Sequence, residues 1–193
     1  MGWRMEKLTP EEVRRIYRER MVQDFPEAEI KELWIIERAM ERKIYECYGV
    51  REEKEILAYA FFILDAWAGK KTCLLDYLAV HRDRRGTGVG SFCLGQCPEI
   101  LEGADMLLVE VDNPEFAADA AERAVMERRM RFYESNGLRD TGVRVCLFSV
   151  EFVVLEMPQF GIHGKEAVGR AYEHLYASIL PPGMYRRNVL ARW

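Results

Sequence analysis

The residues best suited to chemistry lie in one stretch, residues 74–91. An apolar run of strand length, Leu74–Val80, precedes a polar turn that contains Arg82, Arg84 and Arg85, and glycines then recur at alternate positions. Glycines let consecutive backbone N–H groups approach an anion without a Cβ in the way, and the N-terminus of a following helix adds partial positive charge. The stretch therefore predicts a strand, a phosphate-binding turn and the start of a helix.

The spacing of the glycines excludes two common phosphate-binding loops. Counted from Gly86, a dinucleotide-binding G-x-G-x-x-G pattern needs glycine at the position of Ser91, and the Gly-Lys-Ser/Thr of a P-loop is absent. The pattern R/Q-x-x-G-x-G/A is met by Arg85, Gly88 and Gly90. In this pattern the sequence resembles the GCN5-related N-acetyltransferase (GNAT) superfamily, whose members hold the pyrophosphate of acetyl-CoA with such a loop.

A second segment resembles the same family. Residues 131–138 read RFYESNGL, similar to the family's F-Y-x-x-x-G-F segment, with Leu138 in place of the usual phenylalanine. The resemblance implies an α/β fold: a single GNAT-like domain over residues 1–193, with a central mixed, mostly antiparallel sheet flanked by helices. It also implies that acetyl-CoA is the co-substrate. The loop residues expected to bind it are Arg85, Gly86, Thr87, Gly88, Val89, Gly90 and Ser91.

Direct transfer of an acyl group to an amine needs a neutral amine, a stabilised oxyanion and a protonated leaving thiolate. By resemblance, the 74–80 strand pairs its backbone with pantetheine at Val80, and the Leu78 N–H points at the thioester oxygen. Tyr133 matches the position where many family members hold a general acid beside the CoA sulfur, and the unperturbed tyrosine pKa of about 10 suits that role. A half-buried helix tyrosine bonded to a backbone carbonyl is the alternative interpretation.

Two carboxylates are candidates for the base that accepts the amine proton. Asp76 alternates onto the same strand face as Leu78 and Val80, so a chain of waters could link it to the acceptor. Glu110 lies near the end of the next predicted strand. Either carboxylate could instead be a structural partner for a nearby arginine or tyrosine, and the sequence does not decide between these roles.

Composition argues against several other classes of protein. The net charge of −4 over 193 residues gives no basic excess for nucleic acid. No apolar run reaches the about 18 residues that span a bilayer, and no signal-peptide core is present, which predicts a cytoplasmic protein without a membrane partner. Five cysteines without a C-x-x-C pair predict neither a disulfide framework nor a metal site.

Helix start and stop signals predict the elements around these residues. Thr9 opens a first helix with a capping box completed by Glu12. A second start signal at residues 24–27 predicts a helix whose inward-facing residues are Ile30, Leu33, Trp34 and Met40. Pro98 is expected to end the helix after the loop near Cys97.

The rest of the chain alternates between strand and helix patterns. Strands are predicted over residues 43–50, 56–64 and 106–111, with two strands or one long bent strand in 143–157. Helices are predicted over residues 117–135 and in a final amphipathic segment that ends at Pro181.

The sequence thus predicts a GNAT-type acetyltransferase that transfers an acetyl group from acetyl-CoA to a primary amine, without a metal or a covalent enzyme intermediate. An acyl-CoA-binding module or sensor that lacks transfer activity is the alternative. Polyamine-like amines, aminoglycosides and protein lysines all stay open as acceptors. The sequence does not determine the oligomeric state, and a homodimer is left open.

Overall fold

The computed structural model describes residues 2–192, which pack as two compact units. The first unit comprises residues 2–64 and 75–101, and the second comprises residues 65–74 and 102–192. The boundary crosses a strand, residues 70–80, which contributes its first half to the second unit and its second half to the first. The predicted α/β class with a mostly antiparallel sheet is confirmed. A single domain over residues 1–193 stays a prediction.

Strands and helices of the first unit are as follows. Its strands are β1 (Arg4–Lys7), β2 (Tyr45–Glu52), most of β3 (Glu55–Trp67) and the second half of β4 (Lys70–Val80). Its helices are α1 (Pro10–Ile16), α2 (Val22–Asp24), α3 (Leu33–Glu41) and α4 (Val89–Ile100). β2 pairs antiparallel with both β1 and β3. Every residue of β3 from Leu57 to Ile63 is buried, as expected of an apolar strand covered on both faces.

Helix α1 begins where the capping signal predicts. The Glu12 N–H donates to Thr9 Oγ1 at 3.3 Å, and the Thr9 N–H donates to Glu12 Oε2 at 3.0 Å. The hydrogen bond from the Thr9 backbone, together with the Arg51 guanidinium, lowers the pKa of Glu12. Val13 and Ile16, one turn apart on α1, are buried. Both ends of the capping box therefore satisfy backbone groups that a helix start leaves unpaired.

The second predicted helix is wrong in its start and in its buried face. After α1 the chain forms a π-helical turn and then α2, a 3-10 turn spans Glu27–Glu29, and α3 begins only at Leu33. Phe25 is extended because the following Pro26 disfavours helical backbone before it. The later start changes the buried face, so Ile35 is buried while Trp34 is 44% exposed.

Helix α4 is longer than predicted. It runs to Ile100 with Pro98 inside its last turn, whereas the sequence pattern placed its end near Cys97. A proline there removes only its own N–H bond, and the Leu101 N–H still donates to the Cys97 carbonyl at 3.0 Å. The helix therefore continues past the proline.

Besides the end of β3 and the first half of β4, the second unit contains the strands and helices that follow the glycine turn at Gly103. These strands are β5 (Met106–Asp112), β6 (Arg139–Leu147), β7 (Val150–Glu156) and β8 (Val189–Arg192), and the helices are α5 (Ala120–Ser135), α6 (Lys165–Ile179) and α7 (Pro182–Asn188). β7 pairs antiparallel with β5 and β6, and β6 also pairs with β8.

The last two elements of this unit, helix α7 and strand β8, were not predicted from the sequence. The prolines at 181 and 182 indicate a stop after α6, but Pro182 occupies the first position of α7. Proline is favoured at that position, because its fixed φ suits a helix and the first N–H has no partner within the helix. The same residue type therefore ends one helix and begins the next.

We expect Thr9→Ala to lower the free energy of unfolding by about 1 kcal/mol, because it removes the oxygen that accepts the Glu12 N–H. For a chain of this size that loss corresponds to a fall in Tm of roughly 2–4 °C. Thr9→Ser keeps the hydroxyl and should stay within about 0.5 kcal/mol of the wild type. Equal losses in the two variants, measured by urea unfolding, would contradict a role for the capping bond.

Candidate active site

The glycine loop lies directly after β4, as predicted. β4 ends at Val80, and the His81 N–H still donates to the Leu57 carbonyl of β3 at 2.7 Å. The backbone is left-handed at Gly86 (φ 76°) and at Gly88 (φ 92°). Residues with a Cβ rarely adopt such φ values, so the two glycines allow the sharp path from strand to helix.

Helix α4 begins at this loop with free space at its first turn. Gly88 is the N-cap, and no side chain caps the helix. A Cβ built on Gly88 would meet nothing closer than Cη2 of Trp3, at 3.9 Å, and one on Gly86 would meet nothing within 4 Å. Helix N-terminal N–H groups have no partner within the helix and carry partial positive charge. The geometry therefore fits a phosphate group that approaches the backbone at Gly86–Ser91.

The side chain of Arg85 ties the loop to the end of α2. Its Nη2 lies 3.2 Å from Asp24 Oδ1, and its Nε donates to the Val80 carbonyl at 3.2 Å. Asp24 Oδ2 accepts a hydrogen bond from the Tyr59 hydroxyl at 3.0 Å. Burial, and then the charge of Asp24, raise the pKa of Tyr59. Since 60% of the Arg85 side chain is exposed, its guanidinium is both oriented and accessible to a ligand.

The side chains of β4 that were predicted to face the ligand alternate with buried ones. Leu78 and Val80 are of intermediate exposure, while Tyr77 and Ala79 are buried. Asp76 as a whole residue is also of intermediate exposure, but its side chain is only 1% exposed and does not share the accessibility of Leu78 and Val80. The contacts predicted between the backbone at Leu78 and Val80 and pantetheine stay predictions.

Asp76 forms a buried ion pair. Its Oδ1 lies 2.5 Å from Lys31 Nζ, and the side chains of these two residues are only 1% and 6% exposed. Its Oδ2 accepts a hydrogen bond from the Tyr45 hydroxyl. Burial, and then the charge of Asp76, raise the pKa of Tyr45 well above its usual value, so the hydroxyl keeps its proton. Both carboxylate oxygens of Asp76 therefore have partners inside the first unit.

Tyr77 binds the same segment that carries Lys31. The Tyr77 hydroxyl accepts from the Lys31 N–H and donates to the Glu29 carbonyl, each at 2.8 Å. The Tyr77 ring also packs edge-on against Phe25 with centroids 5.0 Å apart, and Lys31 Nζ lies 5.2 Å from its centroid. Residues 25–31, which contain the 3-10 turn at Glu27–Glu29 but no α-helix, are thereby fixed against β4 by side chains that carry no local signal in the sequence.

Glu110 and Tyr133, the other predicted catalytic residues, belong to the second unit. Glu110 lies on β5 and is partly buried, and its Oε2 accepts a hydrogen bond from the Tyr176 hydroxyl of α6 at 3.0 Å. Tyr133 lies in the last turn of α5 and is half-buried, with its ring centroid 5.1 Å from that of Phe132. No residue of α5 is fully buried, so Tyr133 lies on a partly accessible helix.

The end of α5 determines the position of Tyr133. Asp119 caps the start of the helix, with Oδ1 accepting the Glu122 N–H at 2.8 Å. The helix ends at Asn136 and Gly137, where the left-handed φ of 84° reverses the chain and lets the Leu138 N–H donate to the Tyr133 carbonyl at 3.1 Å. Asn136 is therefore the C-cap of α5, and Leu138 is buried behind the turn.

Comparison with known proteins identifies the family. A model of the Acetyltransferase (GNAT) family matches residues 11–137, which include the glycine loop and Tyr133. The chain belongs to this family of acetyltransferases. No protein of curated function matches the chain.

Solved structures share the fold at low sequence identity. A GNAT-family acetyltransferase of Bacteroides thetaiotaomicron superposes with a TM-score of 0.67 at 16% identity, over 91% of this chain and 98% of that one. The ribosomal-protein-S18-alanine N-acetyltransferase of Escherichia coli gives 0.56 at 18% identity, over 84% and 97%. A Bacillus subtilis acetyltransferase in complex with CoA gives 0.55 at 16% identity, over 81% and 98%. Among residues 2–192, no helix is long and apolar enough to cross a membrane.

We expect Lys31→Met to lower the free energy of unfolding by about 3–5 kcal/mol, because it leaves the buried carboxylate of Asp76 without its cation. Lys7→Met is the matched control. Lys7 Nζ also lies 2.5 Å from a carboxylate, that of Glu46, but 58% of the Lys7 side chain is exposed. Its loss should cost less than about 1 kcal/mol. Equal losses in urea unfolding would show that burial adds nothing to the Lys31–Asp76 pair.

Proposed function

We propose that this GNAT-family chain transfers the acetyl group of acetyl-CoA directly to a primary amine. The observation that carries the proposal is the uncapped start of α4 at Gly88, where left-handed glycines leave backbone N–H groups open to a phosphate. Arg85 supplies a positive charge beside this backbone. The loop thus combines the two features that a pyrophosphate requires, which are accessible N–H donors and a cation.

The assignment of acetyl-CoA to this loop draws support from structural relatives. The Bacillus subtilis relative is in complex with CoA, and a GNAT-family acetyltransferase of Elizabethkingia anophelis, with a TM-score of 0.53, has acetyl-CoA bound. Acetyl-CoA supplies the activated acyl group when bound. In the proposed arrangement, residues 85–91 hold the pyrophosphate, the Val80 backbone holds pantetheine, and the Leu78 N–H donates to the thioester oxygen as negative charge develops on it.

Proton transfer is proposed for two residues of the second unit. As the amine nitrogen forms its bond to the acyl carbon and the carbon–sulfur bond breaks, the Tyr133 hydroxyl donates its proton to the leaving thiolate. The proton lost from the amine goes to a carboxylate, either directly or through water. The products are the amide and CoA with its free thiol.

Glu110 is the carboxylate that we propose as the base in preference to Asp76. A base must have a lone pair that reaches the amine or its water. Both oxygens of Asp76 are hydrogen-bonded inside the first unit, and its side chain is only 1% exposed, so neither oxygen is open to an amine or its water. Glu110 Oε2 accepts a hydrogen bond from the neutral hydroxyl of Tyr176. We therefore propose that Asp76 supports the segment 25–31 beside β4 and that Glu110 accepts the proton.

We expect CoA to raise Tm, because a ligand present at about 100 Kd adds about 2.7 kcal/mol to stability. Gly88→Val should abolish the shift, because its side chain would occupy the space through which a phosphate reaches the backbone. Gly103→Val is the matched control, since Gly103 also has a left-handed φ of 74° and open space around its Cβ position. Equal stabilisation of the wild type and Gly88→Val by CoA would contradict the loop assignment, as would a Tm shift with NAD.

Tyr133→Phe should lower kcat and kcat/KM together by about 10²–10⁴-fold, because the hydroxyl acts only as charge develops on sulfur. CoA affinity and Tm should barely change. Tyr185→Phe, which removes a hydroxyl from α7, is the control and should retain activity. Release of free thiol from acetyl-CoA with a panel of amines is the measurement.

Near-normal kcat in Tyr133→Phe, with a loss of only ~1 kcal/mol in stability, would show that Tyr133 has a structural role instead. Absence of thiol release with every amine would favour an acyl-CoA-binding module.

A further inference from the structure

Glu110 is contacted by a helix that lies beyond the residues matched by the family model. That match ends at residue 137, whereas the hydroxyl that donates to Glu110 Oε2 belongs to Tyr176 of α6. The Tyr176 side chain is 0% exposed. A buried tyrosine hydroxyl usually has a hydrogen-bond partner, and here the partner is the carboxylate proposed as the base.

The packing of α6 holds this hydroxyl in place. The Tyr176 ring lies 4.9 Å from that of Tyr172, one turn earlier on the same helix. The residues of α6 that are buried with them are Val168, Gly169, Ala171, Leu175 and Ile179. A side chain with two χ angles, fixed on a buried helix face, can hold its hydroxyl within a narrow range of positions.

We propose that Tyr176 is a positioning residue, which orients the Glu110 carboxylate for proton transfer and favours its ionised form. The inference rests on the proposed role of Glu110 as the base. A hydrogen bond donated to a carboxylate stabilises the charged form over the protonated one. It also restricts rotation of the carboxylate, so that the oxygen not bonded to Tyr176 keeps a defined direction.

Charged groups near Glu110 have partners of their own. On β5, Asp112 pairs with Arg129 of α5 at 2.5 Å. On β7, the residue opposite Glu110 is the uncharged Val154. Glu156, two residues further along β7, forms an ion pair with Arg139 and a hydrogen bond with His163 Nδ1.

Those pairs reduce the field that Asp112 and Glu156 exert at Glu110, because each negative charge lies beside a positive one. On α6, the ring next to Tyr176 is that of Tyr172. We therefore expect the loss of the Tyr176 hydroxyl to change the protonation and the orientation of the Glu110 carboxylate, and not those of its charged neighbours.

The test is the pH profile of kcat/KM in Tyr176→Phe. We expect the acid limb to move to higher pH, because a carboxylate that loses a donor is protonated more readily. We expect kcat at neutral pH to fall by about 10-fold to 10²-fold, with KM for acetyl-CoA unchanged. Tyr185→Phe on α7 is the control and should show the wild-type profile. Tyr176→Met is a second variant without a donor, for use if the Phe variant does not fold.

The variant Glu110→Gln distinguishes two outcomes, namely that Tyr176 does not position the base and that Glu110 is not the base. If Glu110→Gln is inactive while Tyr176→Phe and Tyr176→Met keep the wild-type profile and kcat, the positioning role is overturned and the base assignment stands. Full activity of Glu110→Gln overturns both. A fall in Tm of Tyr176→Phe without a change in profile or kcat also overturns the inference, because it is the result for a tyrosine that only supports packing. In Glu110→Gln, a further Tyr176→Phe change should leave residual turnover unaltered.

Discussion

The buried charge of Asp76 is the constraint on which the first unit depends. A carboxylate that is almost fully removed from water is stable only when a cation and hydrogen-bond donors surround it. Lys31 and the Tyr45 hydroxyl meet that need. Lys31 lies in the segment 25–31, between α2 and α3, so the same ion pair fixes this segment against β4. Tyr77 adds two hydrogen bonds to the backbone of the segment. The strand proposed to bind pantetheine is thereby joined to the segment that follows the first helices.

The loop after β4 depends on a different physical requirement, that of backbone conformation. Gly86 and Gly88 turn the chain at φ values that other residues rarely adopt, and α4 begins immediately afterwards without a capping side chain. A capping side chain would satisfy the N–H groups that a phosphate needs. Arg85 is bonded to Asp24 and to the Val80 carbonyl, so the cation of the loop is connected both to α2 and to the end of β4.

Two carboxylates that look equivalent in the sequence differ in their surroundings. Asp76 is compensated by a lysine and a tyrosine within the first unit, whereas Glu110 is bonded at Oε2 to a tyrosine of α6. The lysine and the tyrosine occupy both oxygens of Asp76 in a buried site, which leaves neither oxygen for an amine or its water. The surroundings, rather than the residue type or the position at a strand, therefore separate the supporting carboxylate from the proposed base.

Local signals in the sequence were sufficient for the fold class, the family, the start of α1 and the glycine loop, but not for the start of α3, the length of α4, or the presence of α7 and β8. The capping box at Thr9, the alternation along β4 and the glycine spacing from Arg85 to Gly90 depend on neighbouring residues, so they could be interpreted without the fold. Lys31 carries no local signal, because its partner Asp76 lies 45 residues away. Tyr176 lies 66 residues from Glu110 and appears in the sequence only as part of an apolar stripe. Only the tertiary structure assigns these partners, because a buried charge is compensated by whichever side chains the fold brings to it.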